Sequence, residues 1–118
     1  MSDDYLLFHN PRCSKSRAAL ALLGMRGITP RLVRYLDTPP GADALRLLLR
    51  RLELPARDLL RSGEAAYAAL GLNDPALDED AIIDAMAAHP ELIERPVLVR
   101  GERAVIGRPT ERLLTLLD

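Results

Sequence analysis

The chain is poor in three things, each of which would mark a particular kind of protein. Cys13 is its single cysteine, so no intrachain disulfide can form and a disulfide-stapled secreted scaffold is excluded. A reducing cytoplasm is the expected setting. Charge of one sign is also missing: 16 basic residues stand against 17 acidic ones, and without a basic field nucleic acid is not an expected partner. Long apolar runs are absent as well. None approaches the roughly 20 residues that cross a bilayer, and the start, MSDDYLLFHN, is acidic where a secretory leader is basic, so no membrane partner is expected.

What is present is a chain of 118 residues, 48% of them hydrophobic, a length that suits one domain spanning 1–118. Lys15 is the only lysine, and arginine, alanine and leucine dominate, as GC-rich coding favours. Arginine abundance therefore carries no message. An arginine matters only where helix periodicity or turn position does not call for it.

Tyr5 to His9 is a short apolar run rich in strand formers and is stopped by the turn pair Asn10-Pro11. Apolar residues then cluster at helical spacings as far as Gly24 and Gly27, predicting a helix from about Cys13 to Arg26. Arg31 to Leu36 reads as a second strand, which makes a βαβ unit with parallel strands. Residues 42–93 read as a helical insertion: Ala42 to Leu52, a piece after Pro55, another around Tyr67, and Asp78 to Ala88. Pro96 to Arg100 and Arg103 to Ile106, separated by Gly101-Glu102, predict an antiparallel hairpin, and Thr110 to Leu117 a last helix. The order βαβ, helices, ββα is that of an α/β thioredoxin-like fold around a central mixed four-stranded sheet. Fold alone does not give function.

Cys13 follows a strand and a turn and stands at a helix start, where free amides and the macrodipole favour thiolate over thiol. Arg12, Lys15, Arg17 and His9 add positive or protonatable groups nearby, and a protonated His9 would favour thiolate further. A lone cysteine is otherwise often a small buried hydrophobe. Cys13-Ser14-Lys15-Ser16 has the spacing of a dithiol redox motif with serine in the second position, so an intermediate on Cys13 must be discharged by an external thiol. A phosphatase loop would place arginine six residues on, where Ala19 stands. One cysteine and the distant His9 and His89 make no metal site, and His89 reads as a helix-terminal residue.

The stretch His9-Asn10-Pro11-Arg12-Cys13-Ser14-Lys15-Ser16-Arg17 resembles the signature of the glutaredoxin-dependent arsenate reductases. The similarity continues through Tyr35-Leu36-Asp37-Thr38-Pro39-Pro40, Asp58-Leu59-Leu60-Arg61, His89 to Pro96 and Ile106-Gly107-Arg108-Pro109. Ser14-Lys15, and an end at Asp118, look like the family's shorter branch. The resemblance implies Cys13 as nucleophile, with His9, Ser16 and Arg17 in the catalytic set, and Arg61, Arg95 and Arg108 as an oxyanion pocket. It also implies a cis peptide at Pro96. Arsenate would be the substrate, glutathione the reducing co-substrate and glutaredoxin the protein partner, with no bound cofactor, metal or flavin.

Without the resemblance, Arg61 reads as a solvated cation at the end of a short helix. Arg95 and Arg108 each precede a proline, which restricts their backbone to extended conformations. Guanidinium forks recognise tetrahedral anions by charge and geometry, so both phosphate and sulfate are expected to compete with arsenate. These arginines are expected to govern turnover far more than alkylation of Cys13. Two other readings stay open: a thioredoxin-fold adaptor binding RNA polymerase, and a monothiol redox protein acting on glutathione adducts without an oxyanion pocket.

Overall fold

The computed structural model describes residues 5–117; residues 1–4, on which part of the leader argument rests, lie outside the described residues. The contacts divide the chain into two compact units, Met1–Thr38 with Arg95–Asp118, and Pro39–Glu94.

The first unit carries the sheet. Its strands are β1 (Tyr5–Phe8), β2 (Arg31–Val33), β3 (Val97–Arg100) and β4 (Arg103–Ile106), in the spatial order β2-β1-β3-β4. β1 runs parallel to β2, with Leu7 beside Leu32, and antiparallel to β3, with Leu7 opposite Leu98; β3 and β4 form the hairpin. Parallel β1 and β2 need a crossover, and helix α1 (Ser14–Met25) supplies it. The mixed sheet with its βαβ start and hairpin is the thioredoxin-like arrangement expected from the sequence. Gly101 at φ 61° takes the left-handed position at the hairpin turn, where a Cβ would be strained. Leu7 and Leu98 of the sheet pack with Ala19 and Leu23 of α1 and with Leu113 and Leu116 near the C-terminus, all fully or almost fully buried.

Two elements differ from expectation. β2 ends at Val33 rather than Leu36, because the chain turns there: Tyr35 N donates to Val33 O, Asp37 N and Thr38 N to Arg34 O, and Arg34 pairs with Asp37 at 3.1 Å. The turn takes the whole Tyr35 side chain out of solvent. Thr110–Leu116 is a 3-10 helix rather than an α-helix. Its last carbonyls are taken from outside, Leu116 O by Arg100 Nη1 at 2.6 Å and Thr115 O by Arg103 Nη2 at 3.0 Å. Apolar spacing over seven residues does not separate a period of 3.0 from 3.6.

The second unit is built of helices and 3-10 turns. Helix α2 (Ala42–Leu52) buries Leu45, Leu48, Leu49 and Leu52, the stripe of an amphipathic helix. Helix α3 (Ala65–Ala69) is short, and α4 (Glu79–Ala88) is capped by Asp78, whose carboxylate accepts from Ala81 N at 2.8 Å. α4 packs on α2 and on the 3-10 turns Ala56–Leu59 and Pro90–Leu92. His89 stands at the C-terminus of α4, as its sequence position suggests. Leu60 and Ile93 form an isolated antiparallel bridge, flanked by Arg61 N donating to Leu92 O and Glu94 N donating to Leu59 O, each at 2.7 Å. Arg61 and Glu94 are thereby fixed on neighbouring backbone.

Candidate active site

Cys13 sits between β1 and α1 as the helix N-cap, with extended backbone (φ −94°, ψ 124°) and a half-buried side chain. The turn leading to it is held by its own polar groups. Asn10 Oδ1 accepts from Arg12 N at 3.0 Å, and Cys13 N donates to Asn10 O at 2.9 Å. Ser16, fully buried, accepts from Asn10 N through its Oγ at 3.3 Å, and exposed Arg17 donates from Nη1 to Pro11 O at 2.9 Å. Ser16 and Arg17 thus clamp the turn on which the cysteine stands.

Burial pushes the Cys13 thiol up, yet the net effect is a lowering to about 7. The N–H of Ser16, the Arg95 side chain and the N–H of Lys15 hydrogen-bond toward the sulfur, and the Arg95 charge adds to them. Cys13 makes no capping hydrogen bond of full geometry. Donors that point at a sulfur favour its anion. Alkylation of Cys13 by iodoacetamide should therefore rise with pH through a midpoint at about 7. A midpoint at or above the roughly 8.5 of a free cysteine would mean that the resting thiol is not activated.

His9, whose protonated form would favour thiolate, follows β1 and is buried. His9 is 5% exposed, and burial, reinforced by the charges of Arg34 and Arg17, lowers its pKa, so the imidazole is neutral near pH 7. Its buried Nδ1 has no hydrogen-bond partner. The positive field at Cys13 comes from α1 and Arg95 instead.

Arg95 and Arg108 come together. Arg108 Nε donates to Arg95 O at 2.8 Å, and both X-Pro bonds, Arg95-Pro96 and Arg108-Pro109, are cis. The first of these was implied by the family resemblance, whereas nothing in the sequence reading anticipated the second. Gly107 N donates to Pro96 O at 2.8 Å, and the two segments approach so closely that a Cβ on Gly107 would lie 2.8 Å from Leu113 Cδ2 and 3.0 Å from Pro96 Cγ. Leu113 is fully buried and a proline ring cannot swing away. Gly107→Ala should cost about 1–3 kcal/mol through overpacking. A Tm several degrees lower in thermal melts is expected, and an unchanged Tm would contradict the close approach.

Arg61 lies in the second unit, where Glu64 Oε2 pairs with its Nη1 at 2.8 Å and Glu94 Oε1 with its Nε at 3.4 Å. Sequence reasoning assigned no role to Glu64, Glu94, Gly107 or the Asn10 side chain. The available hints were the i, i+3 spacing of Glu64 after Arg61 and the Gly between Ile106 and Arg108. Among the described residues, no group of three or more His, Cys, Asp or Glu could hold a metal ion, and no helix is long and apolar enough to cross a membrane.

A thioredoxin-like sheet that presents one activated cysteine at a helix start, with an arginine directed at its sulfur, defines a single-thiol member of that fold class. The chain belongs to the ArsC family, whose model matches residues 8–116. It is similar to an arsenate reductase of Neisseria meningitidis serogroup A, with 48% identity over 112 residues, 94% of this chain and 96% of the relative. It is also similar to YfgD of Escherichia coli K12, itself uncharacterized, with 46% identity and 99% of both chains covered. The solved structure of an arsenate reductase from Vibrio cholerae superposes with a TM-score of 0.95 at 43% identity, over 99% of this chain and all of that one.

Proposed function

We propose that the protein is a glutathione- and glutaredoxin-dependent arsenate reductase acting in the reducing cytoplasm. The observation that carries the reading is the place of Cys13 at the start of α1 with the Arg95 side chain directed at its sulfur, which lowers its pKa, in a chain of the ArsC family. At neutral pH a large fraction of Cys13 is then the nucleophilic thiolate.

The Cys13 thiolate attacks arsenic, an As–O bond breaks, and the departing hydroxide takes a proton and leaves as water. Arg95, Arg108 and Arg61 bind the oxyanion and spread its charge, Arg61 being assigned from its motif alone. A glutathione thiolate then attacks the Cys13 sulfur. The S–As electron pair stays on arsenic, which passes from As(V) to As(III), and arsenite departs with Cys13 as a glutathione mixed disulfide. Glutaredoxin exchanges that disulfide and returns the Cys13 thiol. The mechanism uses no bound cofactor. Ser16 and Arg17 serve by holding the turn, and His9 as a buried neutral group at the end of β1.

Arsenate-dependent consumption of reducing equivalents, with glutathione and glutaredoxin each present and omitted, tests the reading. Turnover is expected only with both. Turnover independent of both would remove the thiol pathway, and no turnover with both would remove arsenate as substrate.

A further inference from the structure

Arg61 is proposed above as an oxyanion ligand, yet two carboxylates pair with it. The bridge between Leu60 and Ile93, with its two flanking 2.7 Å hydrogen bonds, holds Arg61 and Glu94 on adjacent backbone. Glu64, at the start of α3, reaches back to complete the group. The side chains of Arg61, Glu64 and Glu94 are only 22%, 31% and 23% exposed, so solvent screens this trio less than it screens a surface ion pair.

Two carboxylates therefore stand on one guanidinium. A guanidinium has five N–H donors, so contacts through Nη1 and Nε leave others for an anion. An oxygen held on those donors also meets the two carboxylates. A fully ionised oxyanion such as sulfate has no proton to offer and meets them only as like charges, which is a repulsive selection element. An oxyanion that keeps a hydroxyl at neutral pH, hydrogen arsenate or hydrogen phosphate, can donate that O–H to a carboxylate. Each carboxylate has about four lone-pair positions, enough to accept from Arg61 and from such a hydroxyl together.

We infer that Glu64 and Glu94 are specificity-determining residues, making Arg61 select oxyanions that still carry a proton over fully ionised ones. The inference rests on the reading of Arg61 as an oxyanion ligand, and it narrows the expectation that sulfate or phosphate competes with arsenate.

Equilibrium binding of inorganic phosphate and of sulfate to the full chain near neutral pH, followed by calorimetry, tests it without turnover. Wild-type protein should bind phosphate at least about tenfold more tightly than sulfate, the scale of one charge-assisted hydrogen bond. Glu64→Gln and Glu94→Gln keep the shape, remove the charge and supply an amide donor. Each should narrow the ratio to about threefold or less by a gain in sulfate affinity. Sulfate binding as tight as phosphate binding in wild type, or neither anion bound, overturns the inference without any variant; so does a ratio unchanged in both variants, each checked for a native melt. Arsenate turnover separates the two ideas. An inactive protein that still discriminates phosphate from sulfate removes the arsenate reading and leaves the selectivity, whereas an active one that takes both anions equally removes the selectivity alone.

Discussion

Replacing Cys13 by serine should remove arsenate reduction, lowering turnover by at least about three orders of magnitude, as loss of a covalent nucleophile does elsewhere. The size of the effect follows from the element exchanged. The donors that bring the Cys13 thiol to about 7 cannot bring an alcohol anywhere near ionisation at neutral pH, and a hydroxyl cannot form the sulfur-arsenic bond whose electron pair reduces the metalloid. Serine is nearly isosteric, and Cys13 is only half-buried, so the variant should fold and melt close to wild type. Full glutathione- and glutaredoxin-dependent activity in Cys13→Ser would sink the mechanism. Because the chain has no other cysteine, no second thiol could rescue it.

Arg95→Lys and Arg108→Lys should each lower arsenate turnover by about tenfold or more, the consequence of losing about 1.4 kcal/mol of transition-state stabilisation when a bidentate fork becomes a point charge. The structure separates the two variants in a second assay. Arg95 hydrogen-bonds toward the Cys13 sulfur, so its removal as Arg95→Ala should move the alkylation midpoint upward from about 7 as well as slow turnover. Arg108 donates from Nε to the Arg95 backbone carbonyl at 2.8 Å. Arg108→Lys should therefore slow turnover while leaving alkylation nearly unchanged. For the lysine variants the loss of turnover should still exceed the change in alkylation. Wild-type turnover in both lysine variants would remove them from the anion site, and would favour a monothiol protein that has no oxyanion pocket.

Much of this architecture can be read from local pattern. The Asn10-Pro11 turn, the helix that begins after Cys13, the leucine stripe of α2 and the Gly101 turn each depend on residues close in sequence, and each stands where the pattern puts it. What local pattern does not carry is the pairing of distant segments. The early end of β2 depends on Tyr35 being drawn into the interior, and the 3-10 form of Thr110–Leu116 is accompanied by Arg100 and Arg103 taking its last carbonyls. The same division holds at the site. A cysteine at a helix start signals an activated thiol by itself, but the hydrogen bond from Arg95 depends on a loop far along the chain. The lowering of the His9 pKa by burial and by Arg34 likewise depends on a segment distant in sequence. Glu64 and Glu94 look like ordinary surface acids until the Leu60 and Ile93 bridge brings Arg61 between them.

The central claim is that arsenic is reduced through a bond to the Cys13 sulfur, with glutathione taking the arsenic's place on it. Intact-protein mass spectrometry after a single turnover with arsenate and glutathione, glutaredoxin omitted, reads that exchange directly. The expected result is one glutathionyl group on Cys13, formed only when arsenate is present, together with one equivalent of arsenite per protein. Arsenite released in catalytic amounts from a protein whose Cys13 stays unmodified would contradict it.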